Sequence, residues 1–212
     1  MLDKRYQVFI STSGSEMRPE RIVLSQTLVG MGFFSWGLEQ RTPLSTTFAR
    51  RQIDDCDYVV VILGSQYGEQ SVSGVGYMHL EYIYAVTKQK PIIAFIHEDP
   101  DSRDESLHDE KPELREKFKE FRKLIMQEVD QIFTYRTMRD LELAVRLNMS
   151  QILERYPVTG WVRPQNTQAL HDEIEVLKAK IVQFETSAGT READPFLNVQ
   201  KVSMHEDFAF EY

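Results

Sequence analysis

Residues Tyr58–Leu63 (Tyr-Val-Val-Val-Ile-Leu) form an unbroken run without a charged or strongly polar position. A strand of this kind has no face to give to water. It must be covered on both sides, which is the habit of parallel sheets sandwiched between helices. A polar loop follows, carrying Gly64, Gly68, Ser71, Ser73, Gly74 and Gly76, and then Met78, His79, Leu80, Glu81 and Tyr82 open a helical pattern. The loop leaves the carboxyl end of the strand, where open α/β sheets hold their ligands. Glu81, the first carboxylate beyond that loop, is therefore a candidate catalytic group.

The same alternation recurs along the chain. Short apolar segments at 6–11, 33–36, 57–63, 91–96 and 129–135 read as five strands. Between them, Pro19 suits a first helical turn, with Ile22, Val23, Leu28, Val29 and Met31 as its apolar positions and Gly30 and Gly32 at its end. A second helix starts near Pro43–Ser45 and reaches Asp55, with Phe48 and Ile53 as inward candidates. A third covers about 78–90. Leu114, Phe118, Phe121 and Ile125 mark a fourth by their four-three-four spacing. Thr137, with Asp140 three residues on, resembles a capping box for a fifth. Five strands alternating with helices over about 155 residues define an α/β, doubly wound parallel sheet with right-handed crossovers. The flavodoxin-like order 2-1-3-4-5 is the default, and it puts the switch point between the first and third strands. The polar loops after those strands, 11–15 and 64–76, therefore face one another across a crevice.

At 212 residues and 42% hydrophobic, the chain has material for a full core. A net charge of -8 disfavours a nucleic-acid or anionic-membrane partner. The single cysteine, Cys56, lies among Asp54, Asp55 and Asp57, which disfavour a thiolate, so an inert buried thiol is expected. With no internal disulfide, no apolar leader and no span near 18 apolar residues, a cytoplasmic location is expected. The five histidines show no metal-ligand spacing, and Walker A, Gly-x-Gly-x-x-Gly and Gly-x-Ser-x-Gly patterns are missing.

Residues 1–156 are expected as one α/β domain, 157–166 as a linker, 167–186 as a coiled-coil-like helix, and 187–212 as a tail or the start of a further domain. In the helix, Leu170, Ile174, Leu177, Ile181 and Phe184 follow a four-three-four-three seam. Self-association through 170–184 and an amphipathic helix folded back on its own domain both fit that seam.

Val8, Phe9, Ile10 and Ser11, with the serine-rich loop after them, resemble the opening of TIR domains. Gly37-Leu38-Glu39, Asp54-Asp55-Cys56-Asp57-Tyr58, Gly64 with Tyr67-Gly68, Glu81-Tyr82 and Ala94-Phe95-Ile96-His97, in this order, resemble a bacterial family of unknown function. That family carries a TIR-like domain, often N-terminal to STAND-type ATPases and other defence or signalling modules. The resemblance covers approximately residues 4 to 155. TIR domains and nucleoside 2-deoxyribosyltransferases share this layout, and in their active members a glutamate after the third strand works at the anomeric carbon of a ribose. The resemblance implies cleavage of an N-glycosidic bond in NAD or in a nucleoside or nucleotide. NAD would then be a substrate, with no resident cofactor and no metal. Relatives usually carry a hydroxyl residue where Met78 stands and commonly an arginine where Gln66 stands.

A carboxylate suits that chemistry. Breaking an N-glycosidic bond builds positive charge on the ring oxygen and anomeric carbon, which a carboxylate stabilises or attacks. Beside Glu81, Ser11 and Ser13 are candidates for hydrogen bonds to ribose or phosphate. Gly64 and Gly68 allow close backbone approach, Tyr67 and Tyr82 could meet a base, and Glu39 follows the second strand towards the crevice. Each has a plainer role: a helix-start acid for Glu81, caps for the serines, core aromatics for the tyrosines and a surface charge for Glu39. The acids Asp54, Asp55 and Asp57 fall at the opposite, amino edge of the sheet. The charged stretch around 98–120 reads as a solvated loop and helix face. Two functions stay open: a TIR-like glycohydrolase active on assembly, and a non-catalytic oligomerisation or ligand-sensing module.

Overall fold

The computed structural model describes residues 4–38, 44–162 and 164–189. Five parallel strands, β1 (Gln7–Thr12), β2 (Phe34–Gly37), β3 (Tyr58–Leu63), β4 (Ile92–His97) and β5 (Gln131–Tyr135), form one sheet in the order β2-β1-β3-β4-β5. Five helices connect or follow them: α1 (Arg18–Gly30), α2 (Ser45–Asp55), α3 (Tyr77–Thr87), α4 (Pro112–Glu128) and α5 (Met138–Arg155). This is the doubly wound, flavodoxin-like arrangement expected from the alternation of strands and helices. A further helix, α6 (Pro164–Gly189), follows. The chain divides into two compact units, one ending at Val162 and one holding α6.

Two apolar layers follow from the period of two along each strand. Val8, Ile10, Tyr58, Val60, Ile62, Ile93 and Phe95 face one side, where Leu24 and Leu28 of α1 and Leu141, Val145, Met149 and Ile152 of α5 cover them. Phe9, Val59, Val61, Leu63, Ala94 and Ile96 face the other. There, α2 contributes Ala49 and Ile53, α3 contributes Met78, Tyr82 and Ala85, and α4 contributes Phe118, Phe121 and Ile125. All six residues of β3 are buried, as its composition requires.

The amino edge of the sheet is closed by Asp57. Its carboxylate accepts from the Gln7 N–H at 2.8 Å, while its own N–H donates to the Gln7 carbonyl at 2.8 Å. Asp54 pairs with Lys88 at 2.9 Å and accepts from the Tyr84 hydroxyl. Both acids are structural joints far from the carboxyl edge. The capping box of α5 is present, with Thr137 accepting from the Asp140 N–H and the Asp140 carboxylate accepting from the Thr137 N–H. The stretch after Tyr156 ties back to the segment just before β1. Arg5 and Trp161 form an antiparallel bridge with N···O distances of 2.8 and 2.6 Å.

Three expectations are corrected. Phe48 is 47% exposed, and its neighbour Ala49 takes the inward position on α2. On α1, Ile22 and Val29 lie outside while Leu24 and Leu28 face the sheet, so the inward stripe is rotated relative to the apolar positions chosen. The charged segment after β4 is not wholly solvated. The Arg103 side chain and Asp109 are buried, held by partners that only the fold brings to them.

Candidate active site

Glu81 sits on the second turn of α3 with its side chain facing the sheet, and the residue is 5% exposed. Ser11 occupies the last turn of the pleat in β1, opposite Val61, on the same face of the sheet. The Ser11 hydroxyl donates to Oε2 of Glu81 at 2.5 Å. A buried carboxylate needs such a partner, and this one also fixes its rotamer. Around Glu81, the side chains of Thr46, Ala49, Arg50, Ile53, Tyr77 and Leu80 line a recess of about 10 Å³, room for roughly one water. Met78, three residues before Glu81, is buried in the core, and Ser11 of β1 supplies a hydroxyl to this carboxylate.

Ser13 has a different partner. Its hydroxyl donates to the carboxylate of Glu16 in the 3-10 turn Ser15–Met17. Burial raises the pKa of Glu16 above the ordinary carboxylate value, with the Ser13 hydrogen bond opposing that rise. Gly68 adopts φ +79°, and a Cβ on it would lie 2.4 Å from the Ser13 carbonyl oxygen. The loops after β1 and β3 are therefore in backbone contact. The crevice expected between them is closed at this point.

Gly64 makes room for the protein's own side chains. A Cβ there would meet Met17 Sδ at 2.3 Å and Arg103 Nη1 at 2.9 Å. Arg103 comes from the segment after β4 and forms a buried ion pair with Glu20 of α1 at 2.7 Å. Beside it lie His97 and Tyr135, ring centroids 5.3 Å apart in an edge-on contact. Burial, and then the charge of Arg103, lower the pKa of His97.

Tyr67 is buried, and its hydroxyl accepts from the Gly76 N–H at 3.1 Å and lies 2.9 Å from Nδ1 of His79. Its ring meets Phe121 and His79 edge-on, so its faces are taken up within the protein. The Tyr67 N–H donates to Asp109 at 2.6 Å and the Gly68 N–H to the other oxygen at 3.4 Å. Tyr82 is also buried and donates to Glu128 at 2.8 Å. Glu128 ends α4, which runs down to the amino edge, so the Tyr82 hydroxyl points away from the loops. Glu39 lies outside the described residues.

The structure thus brings Ser11 to Glu81 and Ser13 to Gly68, and it gives Tyr67 and Tyr82 packing positions. Open volume lies one strand further on. A cavity of about 620 Å³ separates the β3–α3 loop from the start of α4, lined by Gln66, Gly68, Glu69, Glu105, Lys111 and Arg115 among others. Its walls meet through Asp109, through Ser65 donating to the Leu107 carbonyl at 2.7 Å, and through Gln66 donating to that of His108 at 3.1 Å. Among the described residues, no group of three or more His, Cys, Asp or Glu is arranged to hold a metal. None of the described helices is long and apolar enough to cross a membrane.

Sheet order, crossovers and a polar carboxyl edge define a flavodoxin-like α/β domain with a buried carboxylate at its switch point. Within that class, the chain belongs to the family described as DUF4062, a domain of unknown function, whose model matches residues 7–150. No curated protein matches the chain. Among solved structures, it is similar to the CMP N-glycosidase BcmB of Clostridium botulinum. That likeness has 15% identity and a TM-score of 0.40, and covers 68% of this chain and 98% of the other. It is also similar to an alpha-glucosyltransferase solved with UDP and a 13-mer DNA. There the identity is 11% and the TM-score 0.36, over 62% of this chain and 37% of the other. At these values the likeness is one of general chain path.

Proposed function

We propose that this domain cleaves the N-glycosidic bond of a nucleotide, a nucleoside or NAD, with Glu81 as the catalytic carboxylate. The observation that carries the reading is the buried Ser11–Glu81 hydrogen bond at the carboxyl edge of β1 and β3. A carboxylate held at one rotamer in a site shielded from water is preorganised for a developing oxocarbenium ion, with little reorganisation left at the moment of reaction. It can act as an electrostatic partner or form a glycosyl ester that water then opens. A base that leaves neutral, such as nicotinamide, needs no second acid. In this reading Ser11 orients Glu81 for the reacting sugar. The recess as it stands admits about one water, so substrate entry requires the amino-terminal ends of α2 and α3 to separate. The setting we propose is a bacterial defence or signalling protein in which assembly governs activity.

The test is release of free base from a panel of pyrimidine and purine nucleotides, nucleosides and NAD, followed by chromatography. Base released by the wild type and lost in Glu81→Gln, with unchanged folding, is expected. Equal release by both would remove Glu81 from the mechanism.

A second reading is a non-catalytic ligand-sensing module. The cavity of about 620 Å³ favours it, because its volume lies in the range of small-molecule sites and Glu81 is not among its lining residues. Nucleotide binding measured by calorimetry, without base release from any substrate, would favour that reading.

A further inference from the structure

Helix α6 spans 26 residues and carries an apolar row that is exposed along its length. Leu170, Ile174, Leu177, Ile181 and Phe184 are between 38 and 73% exposed. Their spacing places Ile174 and Ile181 at heptad positions a, and Leu170, Leu177 and Phe184 at positions d. A β-branched residue at a with leucine at d favours two parallel strands. The flanking positions carry charge of alternating sign. Glu173 and Lys180 fall at g, and Lys178 and Glu185 fall at e. In a parallel pair, each g residue faces the e residue five positions later on the partner helix. Glu173 then meets Lys178 of the second copy, and Lys180 meets Glu185. Both contacts join opposite charges, and each occurs twice by symmetry.

We propose that α6 pairs with α6 of a second copy of this chain as a parallel, two-stranded coiled coil. The inference gives the self-association named above an orientation and a register, and it stands whether or not Glu81 is catalytic. Within one helix, Lys178 pairs with Glu175 at 3.0 Å, but both side chains are well over half exposed, and such pairs are weak. Lys178 is therefore free to turn to the partner's Glu173. Val176 and Val182 fall at c and b, outside the seam. In a parallel pair, both chains enter the coil from the same end, so two α/β domains are tethered side by side. That is an arrangement able to couple assembly to activity.

The experiment is sedimentation equilibrium of the full 212-residue chain, beside Glu173→Lys, Lys178→Glu and the double exchange. The wild type should sediment at twice the 24.8 kDa of one chain. Each single exchange turns two attractions into two repulsions and should weaken the dimer about tenfold. The double exchange restores both contacts in a parallel pair and should recover the wild-type constant. An antiparallel pair sets Glu173 near the partner's Lys180, where the double exchange gives no rescue. Leu170→Cys supplies a second reading. A parallel pair places the two introduced thiols opposite one another and oxidises to a covalent dimer. An antiparallel pair centred on the same seam separates them by about 21 Å of helix, too far for a disulfide. A wild-type monomer, a trimer, a double exchange without rescue, or no cross-link would each overturn the proposal. Base release in the Glu81 assay bears on none of these outcomes.

Discussion

Gly68 and Gly74 lie in the same loop, both in the left-handed region, with φ +79° and +76°. They differ in what a Cβ would meet. At Gly74 nothing lies within 4 Å, whereas at Gly68 the Ser13 carbonyl oxygen would be 2.4 Å away. Replacing either by alanine incurs the left-handed penalty, offset in part by a less free unfolded chain, for a net cost of about 1 kcal/mol. At Gly68 the collision is with backbone, which cannot swing aside as a side chain would. One of the two loops must move by most of an ångström, adding ~1–3 kcal/mol as in other overpacked sites. Gly68→Ala should therefore cost ~2–4 kcal/mol and Gly74→Ala about 1 kcal/mol. For a domain of this size, each kcal/mol lowers the melting temperature by about 2–4 °C. Calorimetry and urea unfolding of both variants measure the difference. Because Ser13 follows Ser11 by two residues, Gly68→Ala should also reduce base release by displacing the strand end that holds Glu81. Equal destabilisation by the two substitutions would refute the inference that the β1 and β3 loops are clasped through Gly68.

Other outcomes follow from the same geometry. Removing one member of the buried Glu20–Arg103 pair, as in Arg103→Met, strands a charge and should cost about 3–5 kcal/mol, while Glu20→Leu with Arg103→Met should recover most of it by urea unfolding. The Cys56 thiol is buried, donates to the Ile53 carbonyl and has its pKa pushed up to about 12, so alkylation at pH 8 should require denaturant. Rapid labelling of the native chain would contradict that. Burial lowers the pKa of His79, and burial with Arg103 lowers that of His97, so the unfolded chain takes up protons near pH 6.5 before the folded one does. Stability should accordingly fall as pH drops below about 6.5, and thermal melts of His79→Gln and His97→Gln should each show a shallower slope there.

How much of this was legible in the sequence depends on how local the cause is. The sheet and its order follow from apolar runs such as 58–63 and from helix patterns between them, each a local signal. The inward faces of α1 and α2 were legible only in part. Ala49 is small and Phe48 is large, so size suggested Phe48, while the helix phase that docks Ile53 on the sheet selects Ala49. Ser11 and Glu81 each stood out because both lie at the carboxyl edge, but their hydrogen bond joins residues 70 apart in sequence. Arg103 and Asp109 carried no signal at all. They stand in a charged segment that reads as solvated, and only the approach of that segment to Gly64 and to the Tyr67–Gly68 N–H groups buries them. Tyr67 and Tyr82 show the converse, since their aromatic rings beside a polar loop invited a binding role while the core takes up both.

The most direct measurement is the initial rate of base release by the wild type, Ser11→Ala and Glu81→Gln, on whichever nucleotide, nucleoside or NAD the wild type turns over. If Glu81 is the catalytic carboxylate oriented by Ser11, Glu81→Gln should lose turnover by three orders of magnitude or more, on the order of 4 kcal/mol of barrier. Ser11→Ala should lose about ten- to a hundredfold, the loss of one orienting hydrogen bond, with KM little changed. Full activity in a folded Glu81→Gln protein would contradict the account.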